Sequence, residues 1–171
     1  MTPIKIQRLV KSNMEEIFGV KTVDDYALHE PPDHSALRLY AQDGRGGPNP
    51  DDLRIDMRNK ISSEWNVKVL DILLAAVLKN AKTGEAWEGL PNRSNDYFME
   101  IIQDQMERAR TIWRNAQPKR LESGEIESLI EVEKRMVETR DSSAKTKRAN
   151  TRRINVGFFI VTYSSCLKGL L

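Results

Sequence analysis

The residues best suited to metal or acid–base chemistry are the two histidines, His29 and His34, which flank Glu30 and Asp33 in the segment HEPPDH. Imidazole and carboxylate groups together can ligate a divalent metal. The two prolines between the histidines prevent the regular turn that would bring both rings to one side. We therefore expect a polar loop at this segment and no metal site.

Two further features could serve chemistry. The glycines of GRGG at 44–47 could approach a phosphate, but the segment lacks the GK[ST] ending and the preceding strand of a phosphate-binding loop, which favours a flexible linker. A nucleophile needs a base to orient it, and the lone cysteine, Cys166, lies in an apolar tail while both histidines lie in a proline-rich loop. The sequence therefore predicts no enzyme, no cofactor and no small-molecule substrate.

Basic residues are the stronger candidates for a site. Residues 1–132 carry 18 basic and 22 acidic side chains, whereas residues 133–171 carry nine basic and three acidic ones. A basic terminal region suggests an anionic partner, namely nucleic acid, an acidic protein or a membrane surface, although a solvated helix end explains the same pattern.

The candidate nucleic-acid-binding residues form two groups. One group stands at the end of a predicted helix, where cations also stabilise the helix dipole, and the other follows the last predicted helix. They are Arg108, Arg110, Arg114, Lys119 and Arg120, and then Arg140, Lys145, Lys147, Arg148, Arg152 and Arg153. The second group also resembles a nuclear-import patch.

The elements that must position these residues are helices, because apolar residues recur at steps of three and four. Residues 1–19 predict an amphipathic helix that stops at Gly19, and residues 20–50 predict a partly disordered linker. Residues 51–140 predict a helical bundle, followed by a basic segment at 141–153 and an apolar tail at 154–171.

Within the bundle, four helices are predicted. A short helix follows Asp51 or Asp52, a second follows Ser62 or Ser63, and a third runs from Ser94 to Pro118. The last extends from about Glu125 to Arg140. The apolar residues expected to face inward are Leu53, Ile55, Met57 and Ile61 in the first of these helices and Ile126, Leu129, Ile130 and Val137 in the last.

The apolar tail differs in composition from the chain before it. Its apolar run, Val156 to Tyr163, is too short for a helix that spans a bilayer. A strand, a weak peripheral anchor, an aggregation-prone edge and an artefact of the gene model each explain it. The fold class expected overall is all-α: a small three- or four-helix bundle with an N-terminal helix on a flexible linker and an irregular C-terminal tail.

The three tryptophans, Trp65, Trp87 and Trp113, start, connect or end predicted helices. Large aromatic residues between three helices are typical of small DNA-binding helical domains, in which the last helix presents cations to DNA. The alternative interpretation is that the tryptophans fill a core and the arginines cap a helix.

The segments EWNVKVLDILLAAVLKN, YFMEIIQDQMERARTIWRNAQPK, EVEKRMVETRD and RANTRR carry a family resemblance. Over residues 51–153 the chain resembles a large set of uncharacterised fungal helical proteins with the signature W-N-x-x-V, R-x-x-W-R-x-A-Q-P and T-R-R. This resemblance implies a multicopy protein associated with mobile elements. The chain is also similar to Myb/SANT-like domains found beside transposases, with Trp65 in the first helix and Trp113 at the end of the third.

The function expected from the sequence is non-enzymatic binding of nucleic acid through a basic helical face, in the nucleus or the cytoplasm. The lone cysteine fits a reducing compartment. One alternative is a protein-interaction module whose N-terminal amphipathic helix docks into a groove or forms a coiled coil. Another is a truncated mobile-element product without a function of its own.

Overall fold

A computed structural model describes the backbone of residues 3–83 and 93–167, and the side chains of residues 5–81, 93–146, 148–149 and 151. The described residues form α1 (Pro3–Phe18), a 3-10 helix (Val23–Leu28), α2 (His34–Asp43), α3 (Glu64–Thr83), α4 (Asn95–Ala116) and α5 (Leu129–Leu167). The all-α prediction is confirmed. The chain divides into two compact units, Met1–Gln117 and Pro118–Leu171. Trp87 lies outside the described residues.

The core of the first unit is built from the apolar stripes of α1, α3 and α4. Helix α1 contacts both α3 and α4, and it buries Ile6, Val10 and Met14, which recur every four residues on one face. The predicted picture of an N-terminal helix on a flexible linker is therefore wrong. Its apolar stripe is buried because α3 and α4 offer it matching apolar surfaces. The residues that these two helices contribute to the core include Val69, Leu70, Leu73, Val77, Phe98, Ile101, Ile102, Met106 and Ala109.

Residues 20–50 are folded, which corrects the predicted linker. The 3-10 helix packs against α4 and buries Tyr26. Helix α2 ends at Gly44, whose positive φ of 65° allows its N–H to bond to the carbonyl of Tyr40. The prolines and glycines of this stretch mark the ends of short elements, and sequence reasoning interpreted the same residues as disorder.

Residues 51–63 cross the core without forming the predicted short helix. The apolar residues Leu53, Ile55 and Met57 stand at alternate positions, which is the spacing of an extended chain, and they are buried together with Asp56. The fully buried amide of Asn66 holds this stretch: its Oδ1 accepts the N–H of Asp56 at 2.9 Å, and its Nδ2 donates to the carbonyl of Asp56 at 3.0 Å. The indole of Trp65 adds a bond of 2.9 Å to the carbonyl of Arg54.

The second unit begins with a tight turn that leads into α5. Residues 119–127 double back at Gly124, where φ is 88°, so that Arg120 and Ile126 form an antiparallel bridge. Ser128 and Glu131 then form reciprocal side-chain and backbone bonds that begin α5. The helix therefore starts at Leu129, four residues after the predicted start.

Two predictions about α5 are wrong. Val132 is buried, but the residues predicted to face inward are exposed: Ile126 by 66%, Leu129 by 81%, Ile130 by 79% and Val137 by 50%. The tail was predicted to be irregular, yet the backbone is helical through Leu167. No proline interrupts residues 129–167, so nothing in their covalent structure forces the helix to end earlier.

Candidate nucleic-acid interface

The three arginines predicted on α4 do not share one face. At 100° of rotation per residue, Arg108 lies about 160° around the helix from Arg110 and about 120° from Arg114. The side chain of Arg110 is only 15% exposed and lies 3.3 Å from the carboxylate of Glu107. Arg108 and Arg114 are exposed, but acidic side chains are exposed on the same helix, among them Glu100, Asp104 and Glu107. Helix α4 therefore presents a mixed surface.

Trp65 and Trp113, the two tryptophans among the described residues, pack in the core of the first unit. Trp65 is buried, and Trp113 is half-buried with its Nε1 donating to the carbonyl of His29 at 3.0 Å. Gln117 follows α4, and its backbone N–H bonds to the carbonyl of Arg114. These contacts support the interpretation in which tryptophan fills space between elements, which was the alternative to a DNA-binding arrangement.

Lys119 and Arg120 lie in the turn of the second unit and are exposed. The backbone of Lys119 pairs with Glu127 on the opposite arm: the N–H of Lys119 donates to Glu127 Oε2 at 2.9 Å, and the N–H of Glu127 donates to the Lys119 carbonyl at 2.8 Å. Arg120 donates from Nη1 to the carbonyl of Gly124 at 3.2 Å. Both residues therefore help to close the turn.

The carboxylate of Glu127, in the same turn, forms an ion pair with Arg135. Arg135 donates hydrogen bonds to both carboxylate oxygens of Glu127, with Nε 2.8 Å from Oε1 and Nη2 2.7 Å from Oε2. This ion pair, together with the N–H of Lys119, lowers the pKa of Glu127 to about 2. The opposite charges of this pair offset each other, so the pair stabilises the turn while the side chains of Lys119 and Arg120 stay exposed.

The second predicted group of cations lies on one uninterrupted stretch of α5, residues 140–153, which we call the basic segment. It holds six basic residues and a single acidic one, Asp141. Arg140, Lys145 and Arg148 are exposed. Lys147, Arg152 and Arg153 have helical backbone, and their side chains lie outside the described residues. This is the one predicted group whose members the structure brings together on a single element.

Most of the described side chains in the basic segment are exposed. From Glu138 to Ala149, the described side chains are exposed on every side of the helix, apart from the half-buried Ala144. The α4 cations belong to the first unit, whereas Lys119, Arg120 and the basic segment belong to the second. The basic segment is therefore the described surface best suited to an anionic partner.

The histidines of HEPPDH take part in separate hydrogen bonds. His29 Nε2 accepts the N–H of Ile55 at 3.0 Å, and His34 Nε2 lies 2.6 Å from Nη1 of Arg58. Burial lowers the pKa of His29, which favours the neutral ring that this acceptor role requires. Within the described part of the chain, no three His, Cys, Asp or Glu side chains form a group that could hold a metal ion.

The glycines of GRGG are structural, which corrects their interpretation as a flexible linker. Gly44 ends α2 with a positive φ. A Cβ on Gly47 would lie 3.0 Å from the ring of Tyr40, so this glycine allows the chain to pass close to an aromatic side chain that itself packs edge-on against Trp65.

Sequence reasoning missed the exposed apolar residues of α5. The signal that could have found them is their close mixing with carboxylates, because glutamates occupy positions 125, 127, 131, 133 and 138 among them. Within α5, Glu133 lies between Leu129 and Val137 in rotation around the helix, so a charge interrupts the apolar face that these residues would offer to a core of their own unit.

Comparison with protein-family models, with curated proteins and with solved structures finds no match to this chain. Among the helices in the described residues, none combines the length and the apolar character needed to cross a membrane.

Proposed function

We propose that this chain is a non-enzymatic protein that binds nucleic acid through the basic segment of α5. The observation that carries the proposal is the concentration of six basic residues against one acidic residue on a continuous helix whose described side chains face solvent. Charges of one sign on an exposed helix attract the phosphate backbone from a distance and gain affinity when condensed counterions are released.

The dimensions of a helix favour duplex DNA as the first nucleic acid to test. The major groove of B-form DNA accommodates an α-helix, whereas the major groove of A-form RNA is deep and narrow. Described residues of the basic segment include no aromatic side chain, so contacts to phosphates, rather than stacking on bases, account for the binding. The similarity to domains found beside transposases also supports DNA, and with it a nuclear location.

The α4 arginines are left out of the proposed contact set. Arg110 is engaged with Glu107, and Arg108 and Arg114 project from different sides of a helix that also carries exposed carboxylates. Lys119 and Arg120 are secondary contacts at most, because they lie in the turn before α5, outside the basic segment, and Arg120 already donates to the Gly124 carbonyl. Arg140, Lys145, Lys147, Arg148, Arg152 and Arg153 remain.

The experiment is a titration of the full chain against random-sequence duplex DNA, followed by fluorescence anisotropy over a series of salt concentrations. If all six cations meet phosphates, the logarithm of the binding constant falls with the logarithm of salt concentration with a slope near −5. The double variant Lys145→Glu and Arg148→Glu should reverse two charges, weaken binding at least tenfold and flatten the slope by about two.

The matched control is Arg108→Glu with Arg114→Glu, which makes the same charge change on α4. It should leave affinity within about twofold. Equal losses from both double variants would mean that net charge alone drives the binding, and the basic segment would not be a site. Absence of binding at low salt would remove the proposed function.

The alternative in which the N-terminal helix docks into a partner is not favoured. That interpretation needs an exposed apolar stripe on residues 6–18, and the stripe is buried: Ile6, Val10 and Met14 are each at most 2% exposed. A partner could reach these residues only if α1 left the core of its own unit.

A further inference from the structure

The second unit carries an apolar surface on the first turns of α5. Leu129 and Ile130 are about four-fifths exposed and Val137 is half exposed. At 100° of rotation per residue, these three residues fall within an arc of about 100°. Ile126, which precedes the helix, is also largely exposed. We call Leu129, Ile130 and Val137 the α5 stripe.

Two opposite charges lie within the same arc. Glu133 and Arg140 are both exposed and fall between Leu129 and Val137 in rotation around the helix. They are seven residues apart, or about 10 Å along the axis, which is too far for them to pair with each other in one helix. Their midpoint along the helix lies between Met136 and Val137.

We propose that the α5 stripe is covered by α5 of a second copy of this chain, running antiparallel and crossing near Val137. A two-fold axis at the midpoint of Glu133 and Arg140 places Glu133 of each copy beside Arg140 of the other. It thereby creates two identical ion pairs flanking an apolar centre. Charge complementarity within the stripe thus identifies the occupant.

Side-chain sizes follow the same symmetry. The axis that pairs Glu133 with Arg140 also brings Leu129 of each copy opposite Ala144 of the other, and Ala144 falls within the same arc. A large residue therefore faces a small one at both outer positions, so the helices can approach closely.

A parallel pair would do the opposite. In register, it would place Glu133 beside Glu133 and Arg140 beside Arg140, and like charges at such positions disfavour association. The basic segments of the two copies would also run side by side. The antiparallel arrangement separates them, and Lys145 falls outside the arc that the partner covers. Arg140 belongs both to this arc and to the basic segment, so pairing would remove it from the contacts available to nucleic acid. The pairing experiments are therefore made without nucleic acid, so that failure of one proposal is distinguishable from failure of the other.

The first experiment measures the mass of the full chain in solution by sedimentation at concentrations up to about 0.1 mM, without nucleic acid. We expect a concentration-dependent shift from 19.6 kDa toward twice that mass. Val137→Asp and Ile130→Asp should each raise the dimer dissociation constant at least tenfold. Val67→Asp, at a half-exposed valine of α3 in the first unit, is the matched control and should leave it unchanged.

The second experiment tests orientation by exchanging the charges. Glu133→Arg alone and Arg140→Glu alone should each weaken the dimer, and the double exchange should restore it. In a parallel pair, each of these residues faces its own copy, so every variant still places like charges beside each other. The single exchanges would then not weaken the dimer, and the double exchange would have nothing to restore.

Cysteine pairing provides a readout that does not depend on stability. In a Cys166→Ser background, chains carrying Leu129→Cys should form disulfides with chains carrying Ala144→Cys. Chains carrying Leu129→Cys alone should not form disulfides with one another. A chain that stays at 19.6 kDa throughout, or a dimer unaffected by Val137→Asp and Ile130→Asp, would overturn the proposal. Self-linking of the Leu129→Cys chains would overturn the antiparallel arrangement.

Discussion

The indole N–H of Trp113 donates a 3.0 Å hydrogen bond to the carbonyl oxygen of His29, 84 residues earlier in the chain. Trp113 stands near the end of α4, and His29 directly follows the 3-10 helix. This bond connects residues 20–50, whose sequence shows no helical repeat of apolar residues, to α4. A tryptophan that the sequence associated with DNA-binding domains therefore holds residues 20–50 against the core.

Replacing Trp113 with phenylalanine should test this tie. The variant keeps an aromatic ring but leaves the His29 carbonyl without its donor, so we expect a loss of about 1–3 kcal/mol in the free energy of unfolding. Urea denaturation followed by circular dichroism measures it. Arg114→Ala changes the exposed next residue and should stay within about 0.5 kcal/mol. Equal stabilities for Trp113→Phe and the unmodified chain would show that the bond contributes nothing.

His29 should make the stability of the first unit depend on pH. Burial lowers its pKa below the ordinary value of 6.5, so the unfolded chain takes up a proton before the folded chain does. The stabilisation is fully present above about pH 6.5 and is lost as the pH falls through the lowered folded-state pKa. Urea midpoints measured from about pH 7.5 to pH 5 should therefore decrease.

Two variants separate His29 from the other histidine. His29→Gln should flatten the pH dependence in this range, whereas His34→Gln should preserve it because the pKa shift belongs to His29. A His29→Gln chain with the same slope as the unmodified chain would assign the pH dependence to another group.

Asn66 should be among the polar residues whose loss is most costly. It is fully buried and forms hydrogen bonds with three backbone groups. Two are the N–H and the carbonyl of Asp56, and the third is the carbonyl of Lys60, to which Nδ2 donates at 3.0 Å. Asn66→Ala leaves these groups unsatisfied, and we expect a loss of about 3 kcal/mol or more in thermal or urea unfolding. Asn59→Ala, which removes one bond to Asp56, should cost about 1 kcal/mol. Similar losses from both would contradict the role given to Asn66.

Glu127→Gln should loosen the turn of the second unit. The pKa of Glu127 is lowered to about 2 by Arg135 and the Lys119 N–H. Its contribution is therefore complete above pH 4.5 and is lost as the pH falls through about 2. At neutral pH, the glutamine variant should exchange the Lys119 amide hydrogen at least tenfold faster by NMR. Glu122→Gln, in the same turn, should leave that rate unchanged.

Local sequence signals determined much of the helical content. Gly19 and Pro118 stand just beyond the ends of α1 and α4, and Ser94 directly precedes α4. A helix end depends on backbone geometry and capping within a few residues, so these positions could be predicted from neighbours alone. The accumulation of positive charge in residues 140–153 is likewise a property of the sequence.

Near-neighbour patterns were sufficient to predict α1, α3 and α4 and the accumulation of positive charge. Contacts between distant segments set which faces are covered, and they also account for α2 and for the non-helical residues 51–63, which the patterns did not predict. The stripe of α1 and the α5 stripe look alike as patterns, yet Val10 is buried and Ile130 is exposed. The stretch without a helix at residues 51–63 still buries Leu53, Ile55 and Met57, because these side chains join a core that is formed with residues of α1, α3 and α4. The physical reason is that burial depends on complementary surfaces contributed by residues far apart in sequence, whereas helix formation depends mainly on near neighbours.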